Sequence, residues 1–89
     1  MPRATLRIAD EFVYALADVY SERVLGQIRK LLELLPDNPE MGSADVRESL
    51  LRVYGPNLRK LPVSTFVIVY RYEQDTVDVF ALVYGPTVV

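Results

Sequence analysis

The chain contains no cysteine and no histidine. The first absence excludes disulfides, thiolate metal sites and a cysteine nucleophile; the second excludes imidazole ligands and a histidine general base. The four glycines, Gly26, Gly42, Gly55 and Gly85, are scattered, so no glycine-rich phosphate loop is present. No cofactor or metal is expected. No segment approaches the ~20 apolar residues that span a bilayer, and Met1-Pro2-Arg3-Ala4-Thr5 lacks the long apolar run of a secretion signal. The expectation is a soluble cytoplasmic protein without a membrane partner. Excess positive charge is missing too: the net charge is −2. A domain whose affinity rests on neutralising many phosphates normally carries a surplus of Lys and Arg, so only a local basic patch remains open.

What is there is enough for one core. A chain of 89 residues, 51% hydrophobic and 25% charged, reads as a single globular domain over residues 1–89. Such a chain buries roughly 60–65% of its unfolded surface. Ala4 to Ile8 alternates weakly and suits a short strand, after which Asp10 is placed to cap a helix. That helix is expected from about Glu11 to Tyr20, with Phe12, Val13, Leu16, Val19 and Tyr20 on one face. Ser21 then offers a new N-cap. The next stripe, Val24, Leu25, Ile28, Leu31, Leu32 and Leu35, is the strongest helical signal, and Pro36 stops it. Periodicity alone does not separate a helical hairpin turning at Tyr20-Ser21-Glu22 from one long helix; compactness favours the hairpin.

Pro36 to Ser43 is the clearest loop. A short third helix is expected from Ser43 through about Val53, with Val46, Leu50, Val53 and Tyr54 on one face, before Gly55-Pro56-Asn57 breaks the chain. Three strands follow, at Leu58–Val63, Phe66–Tyr72 and Thr76–Tyr84. Glu73-Gln74-Asp75 supplies the turn between the last two. The middle strand is apolar on both faces and therefore central, whereas Pro62 cannot donate to a ladder and puts its strand at an edge or bulge. The fold class is α+β: an N-terminal strand and a helical hairpin, with a short third helix, packed on a small antiparallel sheet. Matching the two periods places Ile28, Leu32, Phe66 and Ile68 among the buried residues.

The run Leu58-Arg59-Lys60-Leu61-Pro62-Val63, leading into Phe66-Val67-Ile68-Val69-Tyr70-Arg71, resembles the arginine-containing strand and following aromatic, aliphatic and tyrosine residues of the RelE/ParE superfamily of type II toxin–antitoxin toxins. Val77 to Val83 is similar to that family's last strand. The resemblance covers most of the chain. It implies a cognate antitoxin as partner, laying an extended or helical segment over the basic sheet surface, and DNA gyrase or the ribosome with its mRNA as target. A homodimer is compatible with it.

The resemblance also says where the basic residues of mRNA-cleaving members should fall. Lys60 occupies one such position, but Leu58, Val67 and Thr87 stand at three others. The binding candidates are Arg52, Arg59, Lys60 and Arg71, on or near the sheet, with Lys60 and Arg59 the catalytic pair if the chain is an RNase; a solvated surface is the simpler explanation for all four. Glu48, Glu73, Asp75 and Asp78 are carboxylates without an evident acid or arginine partner. Most of the tyrosines fit half-buried positions without a ligand. Three functions follow. The favoured one is a gyrase-inhibiting toxin that binds without cleaving RNA. The second is a ribosome-dependent mRNA endoribonuclease with a displaced basic site, which requires the four cations to converge. The third is a non-toxic binding module, suggested by the apolar end Tyr84-Gly85-Pro86-Thr87-Val88-Val89.

Overall fold

The computed structural model describes residues 3–85. Strand β1 spans Thr5–Ile8, helices α1, α2 and α3 span Asp10–Leu16, Glu22–Leu34 and Glu48–Tyr54, and strands β2, β3 and β4 span Leu58–Val63, Phe66–Glu73 and Thr76–Tyr84. This is the α+β architecture expected. Sheet order is β1-β4-β3-β2, with the meander antiparallel and β1 added parallel to β4. The sheet is therefore mixed, not wholly antiparallel. Because β1 and β2 run the same way at opposite edges, the chain needs a crossover between them, and α1 and α2 provide it on one face. Strand direction leaves no trace in side-chain alternation, so only the assembled sheet fixes it.

Pro62 lies on edge strand β2, as its missing N–H requires. The free edge is blunted further by Ser43, which exchanges two 2.8 Å backbone hydrogen bonds with Lys60. Between β3 and β4, Gln74 and Asp75 have φ of 51° and 58°, the two positive values of a two-residue hairpin turn whose twist matches the strands. A bulge pairs Tyr70 with Val79 and Val69 with Ala81, leaving Phe80 as the extra residue.

Two helices begin or end elsewhere than expected. α1 stops at Leu16 because Asp18 and Val19 donate backwards to the carbonyls of Ala15 and Leu16 in tight i→i+3 bonds, and Ser21 then starts α2 by accepting the Val24 N–H at 3.3 Å. Asp10 is the first helical residue, not the cap; Ala9 holds the cap position without a side-chain bond. The expected five-residue stripe breaks accordingly: Phe12 and Val19 are buried, while Val13 and Tyr20 point outward. α3 starts at Glu48 because Ser43 is committed to its bridge with Lys60, and it ends where Gly55 takes a φ of 93°.

The sheet has a core on each face. The first comprises Phe12, Val24, Ile28, Leu35, Leu61, Ile68, Tyr70, Val77 and Val79 with neighbours from α1 and α2. Ile28 and Ile68 are buried as expected, whereas Leu32 and Phe66 are only partly covered and pack at its rim. The second is small: Leu58, Val69 and Ala81, overlaid by Val46, Leu50 and Tyr54 of the α3 segment and flanked by Val67, Phe80 and Val83.

Candidate functional site

The register of the strands sets a row of side chains across the second face. Arg7 pairs with Asp78, Asp78 with Arg71, and Arg71 with Leu58. Asp78, only 8% exposed, accepts hydrogen bonds from Arg7 Nε at 2.7 Å, Arg7 Nη2 at 3.1 Å and Arg71 Nη2 at 3.3 Å. The Arg7 hydrogen bond leads in holding the Asp78 carboxyl below the usual carboxylate range, against the opposing effect of burial; Arg71 and both positive charges assist. The Arg7 guanidinium is raised in return, mainly by that same hydrogen bond.

Arg71 is held on two further sides. Its Nε lies 3.4 Å from Glu73 Oε1 without hydrogen-bond geometry, and its guanidinium sits 5.0 Å from the Phe80 ring centroid. The bulge that makes Phe80 the extra residue also delivers it to this spot. Tyr54 of α3 stacks on Phe80 at 5.2 Å and 12°, and its hydroxyl donates to Glu11 Oε2 of α1 at 2.5 Å. Burial, then the bond to the Glu11 carboxylate, pushes the Tyr54 hydroxyl up to about 12. Two guanidiniums thus face two carboxylates, Asp78 and Glu73, and the cluster carries no local surplus of positive charge.

The four candidate cations do not gather. Arg59 pairs with Tyr70 on the first face, and its Nη1 donates to the carbonyls of Gly42 at 2.8 Å and Glu40 at 3.3 Å. Tyr70 completes this clamp: its buried hydroxyl accepts the Gly42 N–H at 2.9 Å and donates to the Pro39 carbonyl at 2.9 Å. A Cβ on Gly42 would stand 2.7 Å from that hydroxyl, so glycine is required there. Arg59 is thereby a structural residue of the 36–43 loop. Arg52 is exposed and pairs with Glu48 at 3.0 Å, one turn back along α3. Only Lys60 and Arg71 share the second face, by strand alternation from Leu58.

Of the carboxylates, Glu48 is bound to Arg52, Glu73 also accepts from Asn57 Nδ2 at 2.8 Å, and Asp75 is an exposed turn residue. Glu48, Glu73 and Asp78 thus all have arginine partners, contrary to expectation, and only Asp78 is buried among them. Its pairing with Arg71 is set by the two-residue turn at Gln74-Asp75, one residue tighter than the expected Glu73-Gln74-Asp75; Arg7 has no such local signal, because it arrives on a parallel strand. Among the described residues, no group of three or more His, Cys, Asp or Glu is placed to hold a metal ion. Nor is any helix among them long and apolar enough to cross a membrane. Tyr14 and Tyr20 are exposed at 75% and 90%, so half-burial does not account for them.

Two positions where the resemblance calls for basic side chains are occupied differently. Leu58 is buried in the second core and Val67 packs against it, both part of the apolar ground beneath the α3 segment. Thr87 and the apolar end from Pro86 to Val89 lie outside the described residues.

The family profile described as "ParE toxin of type II toxin-antitoxin system, parDE" matches residues 4–85, from before β1 to the end of β4. The chain belongs to the ParE toxin family. The match places it in the wider RelE/ParE superfamily, as the strand pattern suggested, and as a family member it is the toxin of a type II pair whose partner is an antitoxin. A search among curated proteins finds no match.

Proposed function

We propose that this ParE-family toxin acts by binding a protein target, DNA gyrase, and does not cleave mRNA. The observation that carries the reading is the apolar character of the second face: Leu58 and Val67 pack under α3 instead of presenting cations, and Arg71 is neutralised by Asp78 and Glu73. Phosphodiester attack by a 2′-hydroxyl needs a proton acceptor and positive charge aimed at the developing dianion. Losing one such group lowers the rate ~100–1,000-fold, and several are missing here. Arg59, the other candidate for that chemistry, is committed to loop carbonyls.

An in vitro translation reaction read by primer extension tests the exclusion, with little or no ribosome-dependent cleavage expected. Strong cleavage abolished by Lys60→Ala or Arg71→Ala would overturn it. A supercoiling assay with purified gyrase tests the positive half. Inhibition supports the proposal, and no inhibition at micromolar protein replaces it with a non-toxic binding module. We further infer that the antitoxin's contacts with this surface include acidic residues facing Lys60.

A further inference from the structure

Three features leave α3 weakly held, and the third, its lack of any buried residue, is one that α1 and α2 do not share. It has seven residues, too few for a helix to persist by itself, and it lacks a side-chain N-cap. None of its residues is fully buried. α1 is equally short but plants Phe12, 0% exposed, in the main core. α3 instead rests on half-buried contacts from Leu50 and Tyr54, joined by Val46 just ahead of it, and among the described residues its one hydrogen-bonded tie to another helix is Tyr54 to Glu11. It is also bounded by fixed and bendable points. Ser43 is pinned to Lys60 ahead of it, and behind it Gly55 and Asn57 have φ of 93° and 65°.

The ground under α3 is separable from the main core. Leu58, Val69 and Ala81 are at most 2% exposed, yet they form a cluster distinct from the one between the sheet and α1/α2. Removing α3 would wet these three side chains while leaving Phe12, Ile28, Ile68, Val77 and Val79 covered. Segments with few buried contacts open at free energies well below global unfolding, as cooperative local units.

We propose that α3 is a displaceable strap: it opens by local unfolding about Ser43 and Gly55 and uncovers the second face of the sheet while the first core stays folded. The occupant of that face at rest is thus a segment of the chain itself. Opening bares an apolar strip bordered by Lys60 and Arg71, and a partner using this face must first displace α3, so its apparent affinity is reduced by the fraction of molecules already open. The inference stands whether the target is gyrase or RNA.

The absence of cysteine makes single thiol probes unambiguous. Ala81→Cys puts a thiol beneath α3 and Val79→Cys puts one in the first core, at sites 2% and 0% exposed. With a thiol reagent in native buffer, the Ala81→Cys chain should label on the order of 100-fold faster than the Val79→Cys chain, and its rate should depend only weakly on urea because little surface is exposed. Adding Tyr54→Ala should speed the first labelling further and leave the second unchanged. Equal rates with equal urea dependence in the two chains would overturn the proposal, as would indifference of the Ala81→Cys rate to Tyr54→Ala. Hydrogen exchange of the unmodified chain reads the same event without a core substitution. The Leu51 and Gly55 amides, bonded to Arg47 and Leu51 carbonyls, should exchange by a urea-insensitive opening, and the Leu35 amide by global unfolding. A common, strongly urea-dependent opening for all three would show that α3 is no strap.

Discussion

The two faces of the sheet are built from the same central strands but hold their helices by different physics. On the first face, α1 and α2 supply long apolar side chains that fit between Ile68, Tyr70, Val77 and Val79, and burial does most of the holding. On the second, α3 and the segment just ahead of it offer one tyrosine ring, two aliphatic contacts (Val46 and Leu50) and a hydroxyl, set beside a row of arginines and carboxylates. Hydrophobic burial is non-directional and tolerates small shifts; stacked rings and charge-assisted hydrogen bonds hold only over a narrow range of geometry. The first face is where the chain stores stability. The second is where the structure can rearrange without collapsing.

The comparison is broken most forcefully by putting the same charge into each face. Ile28→Asp, with Ile28 1% exposed in the main core, should cost more than about 4 kcal/mol and leave the chain largely unfolded. Leu50→Asp on α3 should cost only about 1–2 kcal/mol, since the helix can lift the charge into water. Urea melts of the two variants check this, and equal losses would erase the distinction between the faces.

A middle-sized effect belongs to the clamp under the 36–43 loop. Tyr70→Phe keeps the ring in the first core but strands the buried Gly42 N–H and the Pro39 carbonyl, which should cost about 1–3 kcal/mol. If thermal melting of this variant matches that of the parent, the loop is held by Arg59 and the Ser43–Lys60 bridge without the tyrosine.

The smallest expected change sharpens the picture of the second face. Asp78 has its carboxyl held below the usual range in the folded state, so its contribution is complete at neutral pH and is lost as pH falls from the ordinary carboxylate region through the lower folded value. Asp78→Asn should cost about 1–2 kcal/mol at neutral pH. It should also flatten the loss of stability below about pH 4. Melting temperatures from pH 7 to 2 measure both, and an acid slope unchanged by the substitution would assign it to other carboxylates.

Read residue by residue, the sequence by itself determined the elements and much of the meander. Ser21 and the Val24-to-Leu35 stripe set α2, Pro62 sent β2 to an edge, and the polar break at Glu73-Gln74-Asp75 marked the turn into β4. These are short-range effects, in which a residue's neighbours along the chain carry the whole cause. The tertiary structure decided the rest. It ran β1 parallel to β4 and so gave Asp78 its strongest partner, Arg7; it brought the Gly42 and Glu40 carbonyls to Arg59; and it laid α3 across Leu58, Val69 and Ala81. Each of those outcomes depends on which face or edge an element joins, and a hydrophobic period records that a side is apolar without recording what will cover it.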